Sequence, residues 1–96
     1  MSVKLYQTVG SFTRNASLSS AVTLTKPTGA THLLIQILSN DVVITFDGTT
    51  PTTTNGFILL KNNTYEFTLH ATTSIKVIEY AASAEIRYQF FAENVL

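Results

Sequence analysis

Apolar and polar residues alternate with a period of two through much of this chain. Leu18, Ser20, Val22 and Leu24 fall on one face of an extended segment, and Ser19, Ala21, Thr23 and Thr25 on the other. Tyr65, Phe67 and Leu69 alternate with Thr64, Glu66, Thr68 and His70. Ala84, Ile86, Tyr88 and Phe90 alternate with Glu85, Arg87, Gln89 and Phe91. This is the pattern of strands with one wet face. Residues 33–38 depart from it: Leu33, Ile35 and Ile37 point one way, Leu34 and Leu38 the other, with Gln36 between them. A central strand covered on both sides explains two apolar faces, and so does a strand whose outer face meets a partner. A buried helix fits less well because the run is short.

Turn formers cut the chain between these runs: Gly10, Asn15, Lys26-Pro27-Thr28-Gly29, Asn40-Asp41, Asp47-Gly48, Pro51, Asn55-Gly56 and Asn62-Asn63. The intervening segments are rich in Thr, Val, Ile, Phe and Tyr, which suit a pleated surface. The strands expected are 3–9, 17–25, 32–38, 42–46, 57–60, 64–69, 74–80 and 84–91. About eight short strands make an all-β protein, a small antiparallel β-sandwich of jelly-roll or Greek-key type. Residues 1–15 are less regular and read as an N-terminal arm or an edge strand, with residues 16–96 as the sandwich domain.

Composition sharpens this picture. Ninety-six residues fit one domain, and the absence of cysteine excludes a disulfide-stapled scaffold. Six Lys and Arg balance six Asp and Glu, and charged residues are 12% of the chain, against about 25% in ordinary soluble domains. A neutral, weakly charged surface resists association poorly and offers no electrostatic footprint to nucleic acid or anionic membrane. Both features point to protein–protein assembly. The segment Met1-Ser2-Val3-Lys4-Leu5-Tyr6-Gln7 lacks the apolar core of a signal peptide, and no apolar run approaches membrane-spanning length. A soluble protein made in the cytoplasm is expected.

Catalytic chemistry finds no foothold. His32 and His70 sit at a strand start and a strand end and read as edge residues on wet faces, with no nucleophile motif beside them. Asp41, Asp47, Glu66, Glu79, Glu85 and Glu93 are scattered, and no loop supplies the oxygens calcium needs. Asp47 reads as an Asx turn, its carboxylate accepting an amide two residues on. The four glycines stand apart, so no phosphate loop forms, and Arg14, Lys26, Lys61, Lys76 and Arg87 read as dispersed surface charge. No enzyme, cofactor or metal is expected. Phe91 is the one anomaly. It falls on the outer face with Glu85, Arg87 and Gln89, as an exposed contact residue or as a residue folded back over the core edge.

The most distinctive stretch runs from Val42-Val43-Ile44-Thr45-Phe46 through Asp47-Gly48-Thr49-Thr50-Pro51-Thr52 to Asn55-Gly56-Phe57. Locally it resembles the strand-Asp-Gly-Thr-x-Pro-Thr signature of chitobiase-type C-terminal β-sandwich modules in carbohydrate-active enzymes, as does the later Ser74-Ile75-Lys76-Val77-Ile78-Glu79-Tyr80. Over residues 20–80 the chain is similar to small β-sandwich structural proteins of tailed bacteriophages, of the capsid decoration or cement type. Those combine a segment like Val22-Thr23-Leu24-Thr25-Lys26-Pro27-Thr28-Gly29-Ala30, a strand like Leu33-Leu34-Ile35-Gln36, the Asp-Gly-Thr loop, a downstream Gly56 and a closing Ile75-Lys76-Val77-Ile78-Glu79.

This resemblance implies a virion protein that binds the assembled capsid surface in multiple copies. It would be made in the host cytoplasm, form a homo-oligomer such as a trimer, and have the major capsid protein or other virion proteins as partners. It carries over no functional residue. The candidate interface residues, chosen from the segment outside the resemblance and from the anomalous strand end, are Tyr6, Phe12, Arg14 and Phe91. Two alternatives stand beside it: a carbohydrate- or receptor-binding module of a tail or fibre, for which Tyr6, Tyr65, Tyr80 and Phe91 are the aromatics to follow, and a tail or head–tail connector subunit.

Overall fold

A computed structural model describes residues 4–95, with side-chain placement from Gln7 to Glu93. Its strands are β1 (Lys4–Asn15), β2 (Val22–Leu24), β3 (His32–Leu38), β4 (Val42–Thr45), β5 (Phe57–Leu59), β6 (Asn63–Thr68), β7 (Ile75–Glu79) and β8 (Glu85–Val95). They form two sheets of four, in the orders β1-β8-β3-β6 and β2-β7-β4-β5.

One fold-back explains both orders. β1 pairs with β8, β2 with β7, β3 with β6 and β4 with β5, all antiparallel. The chain is in effect doubled at the β4–β5 loop into a long ribbon. Rolling that ribbon sets β8 against β3 and β7 against β4. The result is an eight-stranded jelly roll, so the all-β antiparallel sandwich expected from the alternation is the observed architecture. The strand order distinguishes it from other Greek-key sandwiches.

The core lies between the sheets. Leu33, Ile35 and Ile37 from β3, Ile86 and Phe90 from β8, Val42 and Ile44 from β4, and Ile75 and Val77 from β7 belong to one buried cluster. Each fully buried aliphatic side chain of this kind contributes about 2 kcal/mol by leaving water. Half-buried aromatics close its flanks: Phe46 and Phe67 lie 4.9 Å apart, Tyr65 and Phe67 stack at 6.2 Å, and Tyr88 meets the buried Phe90 edge-on at 6.0 Å.

Three strand boundaries differ from the expected ones by more than one residue, each for a structural reason. β2 starts at Val22 rather than residue 17, because Asn15 Oδ1 accepts the Ser17 amide at 2.7 Å and turns the chain. Leu18 is still fully buried, and its carbonyl accepts the Glu79 amide at 3.0 Å. β1 continues past residue 9 to Asn15 through a bulge. Val9 pairs with Phe90 and Thr13 with Tyr88, so Gly10, Ser11 and Phe12 together span what Gln89 spans alone. Gly10 makes this turn at a φ of +81°, in the left-handed region open to glycine. β8 continues past residue 91 to Val95 because β1 goes on pairing with it.

That continuation outruns the sandwich. β3 pairing ends at His32 opposite Phe91. Lys4–Gln7 and Ala92–Val95 pair with each other beyond that point, and among the described residues no third strand joins them. The molecule measures 45 × 25 × 22 Å. β1 is the outermost strand of its sheet.

Candidate functional site

The outer face of the β1-β8-β3-β6 sheet collects three of the four candidate residues. Register places Leu34 between Gln89 and Glu66, Gln36 between Arg87 and Thr64, and His32 between Phe91 and Thr68. Alternation along β3 sends Leu33, Ile35 and Ile37 to the core and leaves Leu34 40% exposed on the other side. The bulge brings Phe12, 59% exposed, over this same face. Phe12, Leu34, Gln36, Arg87 and Gln89 line a shallow depression of about 290 Å³. Leu34 also lines a second one, about 130 Å³, with His32, Glu66 and Phe91. The two depressions meet at Leu34 and make one apolar trough bordered by amides and hydroxyls.

Arg14 and Arg87 stand directly opposite each other across β1 and β8, an arrangement that like charges disfavour. Glu85 relieves it. Its Oε2 accepts Arg14 Nε at 2.8 Å and Arg87 Nε at 2.9 Å, and its Oε1 accepts Arg14 Nη2 at 3.0 Å. The hydrogen bond from Arg14, followed by that from Arg87, holds the Glu85 carboxyl below the ordinary glutamate range, and the same bond raises Arg14. The basic residues are therefore not all dispersed: the sheet register joins two of them on one carboxylate at the end of the trough.

His32 corrects another expectation. It lies on the outer face, as a strand-start residue should, yet it is only 5% exposed. The cause is the long β8. Glu93 reaches the ring, with Oε2 3.4 Å from His32 Nε2, while Thr31 Oγ1 is 2.8 Å from Nδ1 and accepts the Glu93 amide at 2.9 Å. His70 is exposed, as expected, with Nδ1 3.3 Å from Thr72 Oγ1. Among the described residues no group of three His, Asp or Glu is placed to hold a metal ion.

Phe12, Arg14 and Phe91 thus share one surface. Phe91 is half-buried on the outer face of a strand that has not ended, which excludes the fold-back alternative. Tyr6 lies in β1 opposite Glu93, and its side chain falls outside the described residues. Of the other aromatics, Tyr80 is 43% exposed. Tyr65 is half-buried, and its hydroxyl accepts the Leu60 amide at 3.0 Å. The added member of the trough is Leu34, whose outward apolar side chain was the signal in the two-faced run 33–38.

A second feature sits where the other sheet ends, on the β4–β5 loop. Asp47 Oδ1 accepts the Thr49 amide at 3.0 Å, the Asx turn expected there, and this bond holds its carboxyl below the ordinary range. Thr45 Oγ1 donates to Thr49 O at 2.6 Å. Thr52 and Asn55 exchange backbone bonds at 3.0 and 3.3 Å. Phe46 and Phe57, which flank the two turns, come within 6.3 Å at an interplanar angle of 43°. Together with Asp47, Thr49, Thr54 and Asn55 they line an open cleft of about 580 Å³. The sequence held a signal for it in the mirrored pairing of Phe46-Asp47-Gly48 with Asn55-Gly56-Phe57.

The fold and its surfaces define the class: a small jelly-roll module with an apolar trough on one sheet and a structured loop cleft at the end of the other. Comparison with protein-family models, with curated proteins and with solved structures finds no match to this chain.

Proposed function

We propose that this chain is a virion structural protein of the tailed-phage kind, docking in multiple copies on the outside of an assembled protein shell through the outer face of the β1-β8-β3-β6 sheet. The observation that carries the reading is the trough itself. Phe12 and Leu34 are exposed, Phe91 is half-exposed beside them, and the rim around Leu34 is polar, made by Gln36, Thr64, Gln89, Glu66 and Arg87. An exposed apolar patch with a polar rim marks a protein-binding surface. With Glu85 bridging Arg14 and Arg87, and with Glu66 and Glu93 on the same side, the face has no surplus of positive charge, so a protein surface suits it better than nucleic acid or anionic lipid.

Two further features support the reading. The ribbon of Lys4–Gln7 and Ala92–Val95 extends beyond the third strand, and a two-stranded ribbon is marginal in water by itself, so a surface that seats it stabilises it. The motif order across residues 20–80, which resembles that of phage decoration proteins, is consistent with this role. In this role each copy adds modest buried area. Many copies bridging shell subunits shift the balance toward the assembled state by mass action.

A photo-crosslinking amino acid at Gln36, exposed within the trough, tests the docking face. Its control is the same group at Thr23, exposed on the other sheet. With shells that lack this protein, position 36 is expected to crosslink to the shell subunit and position 23 to stay silent. Crosslinks from 23 alone, or from neither, contradict the proposal.

A further inference from the structure

We propose that the cleft between Phe46, Phe57 and the Asp47–Asn55 loop is a binding site for a neutral saccharide. It lies at the loop end of the β2-β7-β4-β5 sheet and shares no residue with the docking trough. It therefore stands whether or not the docking proposal does.

The lining chemistry selects the ligand class. Phe57 is 67% exposed, with Phe46 behind it, an aromatic surface on which the C–H face of a sugar ring can lie. Around it stand Asp47, whose Oδ1 already accepts the Thr49 amide, the Asn55 amide, Thr49, and Thr54, whose hydroxyl lies 3.3 Å from that of Thr52. A carboxylate accepts from two neighbouring hydroxyls, and an amide both donates and accepts, which matches vicinal hydroxyl pairs. Among the described residues the lining contains no Lys, Arg or His, so phosphates, nucleotides and acidic sugars meet an uncompensated carboxylate. One carboxylate is too few for a divalent-cation cage. A primary amine would use Phe57 and Asp47 but leave the hydroxyls and the amide unmatched. The volume, about 580 Å³, is that of a small-molecule pocket, about 300–1,000 Å³.

The site is built before any ligand arrives. Gly48 N–H donates to Ser74 O at 3.1 Å and Ser74 N–H to Phe46 O at 3.0 Å, tying the Asp-Gly turn to the segment before β7. Thr52 Oγ1 accepts the amides of Thr54 and Asn55 at 3.3 and 3.1 Å. Gly56 brings the chain so close to β4 that a β-carbon there would stand 2.9 Å from Ile44 O. The ordering cost of the loop is met in folding, which leaves more of the contact energy for binding.

The test is a titration of the ¹⁵N-labelled full chain with a panel of neutral oligosaccharides built on glucose, mannose, galactose and N-acetylhexosamines. It is followed by the amide shifts of residues 45–57, with n-butylamine as the rival probe. At least one sugar is expected to give saturable shifts there. Phe57→Ala should weaken it by about tenfold or more through the lost ring contact. Asp47→Asn keeps the Oδ1 that accepts the Thr49 amide but loses the charge, and should weaken the sugar by about tenfold. Phe12→Ala, on the other sheet, should bind as the parent does. No saturable shift with any sugar, shifts that persist in both cleft variants, or tighter binding of n-butylamine than of every sugar would each overturn the proposal.

Discussion

Gly56 packs its backbone directly against Val43: a β-carbon at residue 56 would stand 2.6 Å from Val43 Cγ1. The φ of +131° at Gly56 adds a second bar to any side chain. Together these positions fix how the β4–β5 loop closes and where Asn55 and Phe57 point. Gly56→Ala is expected to cost about 3 kcal/mol, combining backbone strain with overpacking. Gly29→Ala, at a φ of +87° but with nothing within 4 Å of its added carbon, is expected to cost about 1 kcal/mol from strain alone. Urea unfolding of the two variants checks the difference.

Glu85 and its two arginines make stability depend on pH in a defined direction. The folded carboxyl titrates below its ordinary value because Arg14 and then Arg87 hydrogen-bond the charged form. The contribution is therefore fully present above the ordinary glutamate value of about 4.3 and is lost as pH falls through the lower folded value. Urea midpoints measured from about pH 6 down to about pH 2 should fall more gently for Glu85→Gln than for the parent protein. Some slope should remain, because Asp47, held low chiefly by the Thr49 amide, acts in the same direction.

Neighbours on opposite faces of β3 should behave oppositely. Ile35 is fully buried between the sheets, and Ile35→Ala is expected to cost about 3 kcal/mol through lost transfer energy and a cavity. Leu34 is 40% exposed and stands beside Glu66, so Leu34→Lys should change stability by no more than about 0.5 kcal/mol. Thermal or urea denaturation of both variants measures this contrast.

The Tyr65 hydroxyl links the end of β5 to β6 by accepting the Leu60 amide at 3.0 Å. Tyr65→Phe keeps the ring that stacks on Phe67 and removes this bond, with an expected loss of about 1 kcal/mol in chemical denaturation. Hydrogen exchange at the Leu60 amide should rise in the same variant.

The sandwich was legible in the sequence because its strands obey a local rule. Alternation in 64–69 and 84–91 and the two-faced apolar run 33–38 needed no knowledge of partners, and these became β6, β8 and β3. Features that depend on register were not legible. Arg14 and Glu85 are 71 residues apart and meet only because β1 lies on β8. His32 has the alternation of an outer residue and is buried only because β8 runs on far enough to bring Glu93 over it. Phe12 follows Gly10, which looked like a strand end and is instead a bulge inside one. Phe12, Arg14 and Phe91 could each be singled out from the sequence, as members of the irregular first segment or as the anomalous strand end. Their gathering around Leu34 came from pairing that no local pattern encodes.

The most direct test of the docking proposal is a co-sedimentation isotherm with virion shells lacking this protein, for the parent chain and for Leu34→Lys, with circular dichroism confirming that the variant is folded. The expected result is saturable binding of the parent at a fixed number of copies per shell, and loss of that binding in Leu34→Lys. A parent chain that ignores the shells, or a folded Leu34→Lys that binds them equally well, would contradict it.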